Sequence, residues 1–254
     1  MQKLNSSQIL PVKDTDGAVL VIAGAGSGKT RVLTSRIAYL ISNKGVHPSN
    51  VLAITFTNKA ADEMKYRLEK MIGDIEGMWV STIHSMCVKI LRSSISYLGY
   101  EKNFSIYSED DKERVLKRII SDMELEADKY LKLCKSHISN AKNSDLSPRE
   151  YRDENINMKA IGIIYDVYLA YENELKRSNA LDFDDLLIKT LHLFERTTTF
   201  KVIIAKSLDT FISTSFKIRT PFSIKLQKCY PLITAIFSPL VTTISQFTAG
   251  AVQK

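Results

Sequence analysis

Cysteine is scarce in this chain, and its few copies lie far apart. The three cysteines, Cys87, Cys134 and Cys229, form no disulfide framework and no metal-ligand spacing. The N-terminus also lacks the apolar segment of a secretion signal. We therefore expect neither a disulfide-stapled secreted scaffold nor a cysteine-based metal site, and we expect a cytoplasmic protein.

Carboxylates are almost missing from the last part of the chain. Residues 197–254 hold seven Lys or Arg and one carboxylate, Asp209, so they carry most of the net charge of +7. The preceding residues are close to neutral. The basic character of the whole chain is therefore no evidence for a nucleic-acid-binding surface.

A phosphate-binding loop between a strand pattern and a helix pattern is the clearest positive feature. Residues 19–22 are apolar and mostly β-branched, as in a buried strand, and small residues follow. A helix that begins near Gly28 would direct its positive end at phosphates, Lys29 would reach the β/γ oxygens, and the Thr30 hydroxyl would hold Mg²⁺. We predict a nucleoside triphosphate site formed by Ala23, Gly24, Ala25, Gly26, Ser27, Gly28, Lys29 and Thr30.

The pattern after the loop is that of an α/β fold. A helical stripe over residues 31–41 precedes a second apolar strand at 51–56. A helix over 59–72, which Thr57 or Asn58 can cap, precedes a third short strand at 79–82. Two successive strand–helix units predict a parallel sheet. His84 follows the third strand, at the sheet edge where such folds bind ligands, although a structural histidine is the commoner interpretation.

Several segments in order resemble the UvrD/Rep/PcrA family of DNA helicases. The resemblance rests on Gln8, the loop 23–30, the stretch Ala53–Met64 and the stretch Trp79–Met86. It implies a P-loop NTPase (RecA-like) parallel sheet with an inserted all-helical subdomain, ATP and Mg²⁺ as cofactors, and 3′ to 5′ movement on single-stranded DNA.

The resemblance also implies roles for individual residues. Lys29 would be catalytic by neutralising phosphate charge, Gln8 would read adenine, and Arg31 and Arg36 would complete the nucleotide site, with Arg36 near the base. Single-stranded DNA or DNA junctions would meet Phe56, Thr57, Asn58, Thr82, His84 and Ser85. An aromatic face can stack on any base, and hydroxyl or amide groups can hold phosphates. Taken without the resemblance, Phe56 could equally be a core aromatic.

Helix patterns without strand patterns fill the middle of the chain. Start signals of capping type occur at Ser108 and at Ser147-Pro148. We predict a first part of the ATP-binding domain over 1–105, a helical insertion over 106–178 with solvated Lys and Glu faces, and a return to the ATP-binding domain over 179–198. The carboxylates of residues 182–185 are predicted to cap a helix rather than bind metal.

The family pattern is predicted to end after Arg196. Residues 199–254 lack the strand ending in Asp-Glu that such a motor needs to hold Mg²⁺ and position water (Walker B). Codons rebuilt one base out of frame over residues 212–220 permit Ile-Asp-Glu-Phe-Gln-Asp-Thr-Asn, and those over 240–253 permit the family's next motif. We therefore interpret the tail as an out-of-frame translation that should be poorly ordered, or sticky through runs such as 239–247. The competing membrane-anchor interpretation is disfavoured by Pro231, Pro239 and many hydroxyls.

The function predicted from these patterns is that of the ATP-binding N-terminal portion of a 3′–5′ DNA helicase, inactive alone, with no membrane partner. A non-enzymatic module that binds ATP or single-stranded DNA is the first alternative. A small P-loop kinase or another NTPase is the second, but it leaves the segments around Phe56 and His84 without an explanation.

Overall fold

The computed structural model describes residues 4–15, 19–22, 26–196, 210–213 and 240–245. The chain divides into two compact units, one formed by residues 1–86 and 197–254 and the other by residues 87–196. The predicted boundaries at 105/106 and 178/179 both fall inside the second unit. As statements about domains, those boundaries stay predictions.

The described elements alternate between strands and helices at first and are mainly helical later. In chain order they are α1 (Ser6–Lys13), β1 (Val19–Ile22), α2 (Lys29–Lys44), β2 (Val51–Thr55), α3 (Asn58–Ile72), β3 (Trp79–Thr82), α4 (Ile83–Ser94), β4 (Ser105–Ile106), α5 (Glu109–Asp122), α6 (Ala127–Asn143), α7 (Pro148–Glu154), α8 (Ile161–Arg177), β5 (Ala180–Leu181), α9 (Phe183–Arg196), β6 (Thr210–Ser213) and β7 (Leu240–Ser245), with 3₁₀ turns at Pro48–Asn50 and Ile95–Leu98.

A parallel sheet organises the first unit. Its five strands lie in the order β1-β7-β6-β2-β3, and every neighbouring pair is parallel. The register pairs Ile22 with Ser245 and Thr55 with Thr82, so the carboxyl ends of the strands meet at one edge. The prediction of an α/β fold with a parallel sheet is confirmed.

Two strands of this sheet come from the segment that was expected to be poorly ordered. Strand β6 lies between β2 and β7, and β7 lies between β6 and β1. The expectation of poor order is therefore wrong for residues 210–213, whereas residues 240–245 form a strand within the run 239–247 that was predicted to be β-prone. The physical reason is that short β-prone runs satisfy the backbone groups of the strands beside them, whatever the origin of their sequence.

Apolar faces of α2 and α3 form the core of the first unit. Leu33, Ile37, Met64 and Leu68 are fully buried and pack with the β2 residue Val51. Helix α2 ends at Gly45, which takes a left-handed conformation with φ of 72° and donates its N–H to the carbonyl of Leu40. The helical stripe after the loop therefore covers the sheet as predicted.

The predicted start signals are found at the beginnings of three helices. The Thr57 hydroxyl accepts the N–H of Ala60 at the start of α3. Capping boxes form at Ser108 with Asp111 and at Ser147 with Glu150, at the starts of α5 and α7. These predictions from the sequence are confirmed.

Helices α5 to α8 of the second unit share one core. Leu116, Ile120, Ile138, Val167 and Tyr171 are fully buried and belong to one cluster. A short parallel pair, β4 with β5, aligns residues 105 and 180. The two strands lie before α5 and after α8, so no strand interrupts the helices between residues 108 and 178, as predicted.

Two lysines of the second unit lie in its interior. The side chains of Lys112 and Lys142 are 1% and 2% exposed and pair with carboxylates of α8, of Asp182 before α9 and of the first turn of α9. The prediction that the lysines here form solvated faces is wrong for these two. Periodicity could not reveal them, because their partners lie 30 or more residues away in sequence.

The segment 182–185 does cap a helix. Asp182 Oδ1 accepts the N–H of Asp185 at 2.8 Å, and Asp185 Oδ2 accepts the N–H of Asp182 at 3.1 Å.

Within the described residues, no group of three or more His, Cys, Asp or Glu is arranged to hold a metal ion. No helix among the described ranges is long and apolar enough to cross a membrane.

Candidate functional site

The candidate site begins in the turn that precedes helix α2. Gly26 and Gly28 have φ of 73° and 82°, in the left-handed region that glycine adopts without strain. Gly28 is the N-cap of α2, and glycine has no side chain to fill the space in front of the helix. The first turn of α2 can therefore direct its N–H groups and its positive dipole end at an anion. Ala23, Gly24 and Ala25 of the predicted loop lie outside the described residues.

Gln8 of α1 reaches across to this turn. Its Nε2 donates to the carbonyl oxygen of Ser27 at 3.0 Å, and its Oε1 accepts the N–H of Asn5 at 3.1 Å. Asn5 in turn accepts the N–H of Gln8 and completes a capping box. The Asn-x-x-Gln spacing is the signal that could have located this box in the sequence.

The close approach of Gln8 also limits what can stand at Gly28. A Cβ atom built at Gly28 would lie 3.1 Å from Gln8 Nε2 and 3.9 Å from the Cβ of Arg31. Because φ there is positive and the space is tight, both backbone conformation and contact favour glycine. The structure thus brings Gln8, Ser27 and Gly28 together, as the predicted nucleotide site requires.

Lys29 and Thr30 form the first turn of α2, directly after Gly28. Both side chains are partly exposed, and the Thr30 carbonyl accepts the hydroxyl of Thr34 at 3.1 Å. An amine and a hydroxyl at this position suit the triphosphate and a hard cation such as Mg²⁺, respectively. Their roles toward phosphate and Mg²⁺ stay predictions, as does the role of Arg31 toward the nucleotide.

Arg36 occupies a different environment from the one its sequence position indicated. It lies off the apolar stripe of α2 in sequence, yet its side chain is only 1% exposed. Its Nη1 donates to the carbonyl oxygens of Pro11 and Asp14, at the end of α1. Burial lowers the pKa of Arg36, and the nearby Asp14 carboxylate partly opposes that shift.

Predicted DNA-contacting residues follow β2 at the carboxyl edge of the sheet. Phe56 is 69% exposed, which excludes the alternative that it is a core aromatic. Asn58 is exposed as well, whereas the Thr57 hydroxyl caps α3. An exposed aromatic ring beside polar groups is an arrangement that can stack a base without reading sequence.

The predicted contacts after β3 divide into buried and exposed groups. Thr82 is 8% exposed, and its hydroxyl shares a hydrogen bond of 2.8 Å with the hydroxyl of Ser85. It also accepts the N–H of Ser85, so it holds the first turn of α4. Ser85 is exposed and His84 is partly exposed. Contacts of these three residues with DNA stay predictions, and the buried hydroxyl of Thr82 is best placed to orient Ser85.

Comparisons with known proteins agree with this geometry. A family model described as the UvrD/REP helicase N-terminal domain matches residues 4–217, so the match continues beyond Arg196, where the sequence predicted the pattern to end. Proteins named ATP-dependent DNA helicase PcrA are similar over 198 residues: that of Staphylococcus aureus is 46% identical and that of Staphylococcus epidermidis 44%, in each case over 77% of this chain and 27% of the relative. The chain thus spans about a quarter of the length of these relatives.

Proposed function

The chain belongs to the family of UvrD/REP helicase N-terminal domains, and from that premise we propose that it is the ATP-binding portion of a DNA helicase that moves 3′ to 5′ on single-stranded DNA. In this proposal the first unit is a P-loop NTPase sheet of RecA-like type. The helical insertion is residues 106–178. The protein would use ATP and Mg²⁺ as cofactors. It would act in the cytoplasm without a membrane partner.

One arrangement carries the proposal. A parallel strand leads through left-handed glycines into α2, and the Gln8 amide is fixed against Ser27 in front of that helix. The amide of Gln8 keeps one hydrogen and one lone pair for a further partner. An adenine edge offers the matching acceptor and donor at N7 and N6. Lys29 and Thr30 then lie at the phosphate end.

A nucleotide-binding titration tests this proposal. The full chain should bind ATP with Mg²⁺. Lys29→Ala should lower the ATP affinity strongly, because the substitution removes the ammonium group that would neutralise the negative charge of the phosphates. Lys44→Ala, at the far end of the same helix, is a matched control and should leave binding unchanged. Equal affinity of Lys29→Ala and the unmodified chain would contradict the proposed site.

We further propose that this chain does not hydrolyse ATP on its own. Strand β6 ends at Ser213, and the sequence contains no Asp or Glu after Asp209. Hydrolysis in P-loop enzymes needs an acidic group for the metal and a group that positions water. Robust DNA-stimulated ATPase activity of the chain would contradict this. The lack of an acidic pair also favours, as a second candidate, a module that binds ATP or single-stranded DNA without turnover.

A slipped reading frame is our proposed origin of this loss. Read one base out of frame, the codons that join Ser213 to Thr214 and Thr214 to Ser215 can spell Asp and Glu, immediately after an isoleucine. Those codons lie directly after the end of β6, a parallel neighbour of β2. Sequencing the gene tests the idea, because a coding stretch that cannot spell Asp-Glu in another frame removes it.

A further inference from the structure

Arg36 satisfies the end of helix α1. The last carbonyl groups of a helix have no partner within the helix. Nη1 of Arg36 donates to two carbonyl oxygens at this end, that of Pro11 at 2.5 Å and that of Asp14. A cation is favoured at a helix C-terminus because it faces the negative end of the dipole. The guanidinium is therefore a C-terminal cap supplied by α2.

Helix α1 has few other anchors. It contains eight residues with Pro11 inside, and helices this short are marginal without tertiary contacts. Ile9 and Leu10 are 39% and 73% exposed, and Val12 is its buried contribution to the core of the first unit. Among the described contacts, α1 is held by Val12, by the bond from Gln8 to Ser27 and by the bonds from Arg36.

The other end of α1 carries Gln8, which faces the predicted phosphate-binding turn at Ser27 and Gly28; we call these two residues the phosphate turn. Gln8 lies in the first turn of α1 and donates to Ser27. A change in the position of α1 would move the Gln8 amide relative to Gly28, which is already in tight contact with it. Arg36 itself is 1% exposed, so it cannot present its guanidinium to a base in this conformation.

We propose that Arg36 is a positioning residue that sets nucleobase selectivity by holding α1, and with it Gln8, against the phosphate turn. The inference rests on the proposed function, because it assumes that the site binds nucleotide. It assigns Arg36 an indirect role in place of direct contact with the base. The consequence is that Arg36 and Gln8 act as one unit in discriminating adenine from guanine.

Two measurements on the full chain test the inference. The first is amide hydrogen exchange of the peptide containing α1, compared with the peptide containing α3. Arg36→Met should raise exchange in α1 about tenfold or more, because two bonds to a charged donor are lost. Exchange in α3 should stay unchanged. Arg36→Lys keeps a charged donor and should give a smaller increase.

The second measurement is the ratio of ATP to GTP affinity. Arg36→Met should lower this preference to the level of Gln8→Ala, a loss of about tenfold for a bidentate amide–adenine contact. The double variant should lose no more than either single variant. Arg67→Met, which removes an exposed arginine paired with Glu63 on α3, is the control and should change neither quantity.

Each result decides the matter. Unchanged α1 exchange in Arg36→Met, or losses of preference that multiply in the double variant, would overturn the inference. If Arg36→Met does not fold, Arg36→Lys must still show raised α1 exchange and a reduced preference, and absence of both overturns it. ATP binding with an intact preference in Arg36→Met defeats the inference alone, whereas an unmodified chain that binds neither nucleotide defeats the proposed function as well.

Discussion

The ammonium group of Lys142 lies 2.9 Å from the carboxylate of Asp185, and the two side chains are 2% and 3% exposed. The same ammonium group is 3.1 Å from Asp182 and 2.7 Å from Glu172. Burial opposes the charge of Lys142, but these three carboxylates outweigh it and hold its pKa well above the ordinary value. The charges of α6, α8 and the start of α9 therefore depend on one another.

Replacing Lys142 by Met should destabilise the second unit strongly. Removing one partner of a buried ion pair leaves uncompensated charge, and such losses cost about 3–5 kcal/mol. The control is Lys135→Met on the same helix, because Lys135 pairs with Glu109 and Glu113 at side-chain exposures of 30% to 62%. Its loss should cost about 0–1 kcal/mol. Urea unfolding followed by circular dichroism measures both, and equal losses would contradict the prediction.

Asp185 should contribute a loss of stability as pH rises from about 4 to about 7. Burial and the neighbouring Asp182 raise the pKa of Asp185 to about 7, against about 4 in an unfolded chain. The native state therefore binds the extra proton across this window, and deprotonation at higher pH favours unfolding. The slope contributed is at most about 1.4 kcal/mol per pH unit.

Asp185→Asn provides the test of this pH dependence. An asparagine keeps an oxygen that can accept the N–H of Asp182 but does not titrate, so between pH 4 and 7 the stability of this variant should lose the contribution that falls with rising pH in the unmodified chain. As pH drops below 4, stability should decrease in this variant too, because Asp182 becomes protonated there. Lys142 and Lys112 outweigh the effect of burial and lower the pKa of Asp182. Asp153→Asn, at a 54% exposed side chain, is the control. An unchanged slope in Asp185→Asn would refute the assignment.

Gly28→Ala should lower the affinity for ATP, whereas Gly45→Ala should not, although both substitutions should lower the free energy of unfolding by a similar amount. A methyl group there would meet Gln8 Nε2 at 3.1 Å and displace the amide that faces the turn. Gly45→Ala is a matched control, since its φ of 72° is similarly left-handed but a Cβ would meet nothing within 4 Å. Both variants should lose about 1–2 kcal/mol of unfolding free energy. Titration with ATP should separate them, and equal affinities would contradict the expected role of Gly28.

The sequence predicted the parts of the structure that local patterns encode. The strand before the loop, the start of a helix near Gly28 and the caps at Thr57 and Ser108 all follow from residue type and spacing over a few positions. The exposed ring of Phe56 was open between a core and a surface interpretation until the end of β2 was located. Local signals were sufficient for the fold class and for the helix that begins after Gly28.

Long-range contacts explain what sequence patterns did not predict. Arg36 is buried because its acceptors belong to α1, which lies more than 20 residues earlier. Lys112 is buried because Asp182 and Asp184 come from a segment about 70 residues later. From sequence alone, a charged residue is expected to be exposed to solvent unless its partner is known. Hydrophobic periodicity does not identify a partner so far away in sequence. Helix propensity cannot supply that information either.

Phe56→Ala should weaken binding of single-stranded DNA while leaving stability nearly unchanged. The ring is 69% exposed, so its removal costs little in the core, whereas stacking of one base on an aromatic ring contributes about 1–3 kcal/mol. The dissociation constant for a labelled oligothymidine should therefore rise about tenfold, as measured by fluorescence anisotropy at fixed salt. Tyr66→Ala removes another exposed aromatic, 57% exposed on α3, and should have little effect on DNA affinity. If both variants bind equally well, the exposed ring after β2 does not contact DNA, and the proposed nucleic-acid surface must be abandoned at this edge of the sheet.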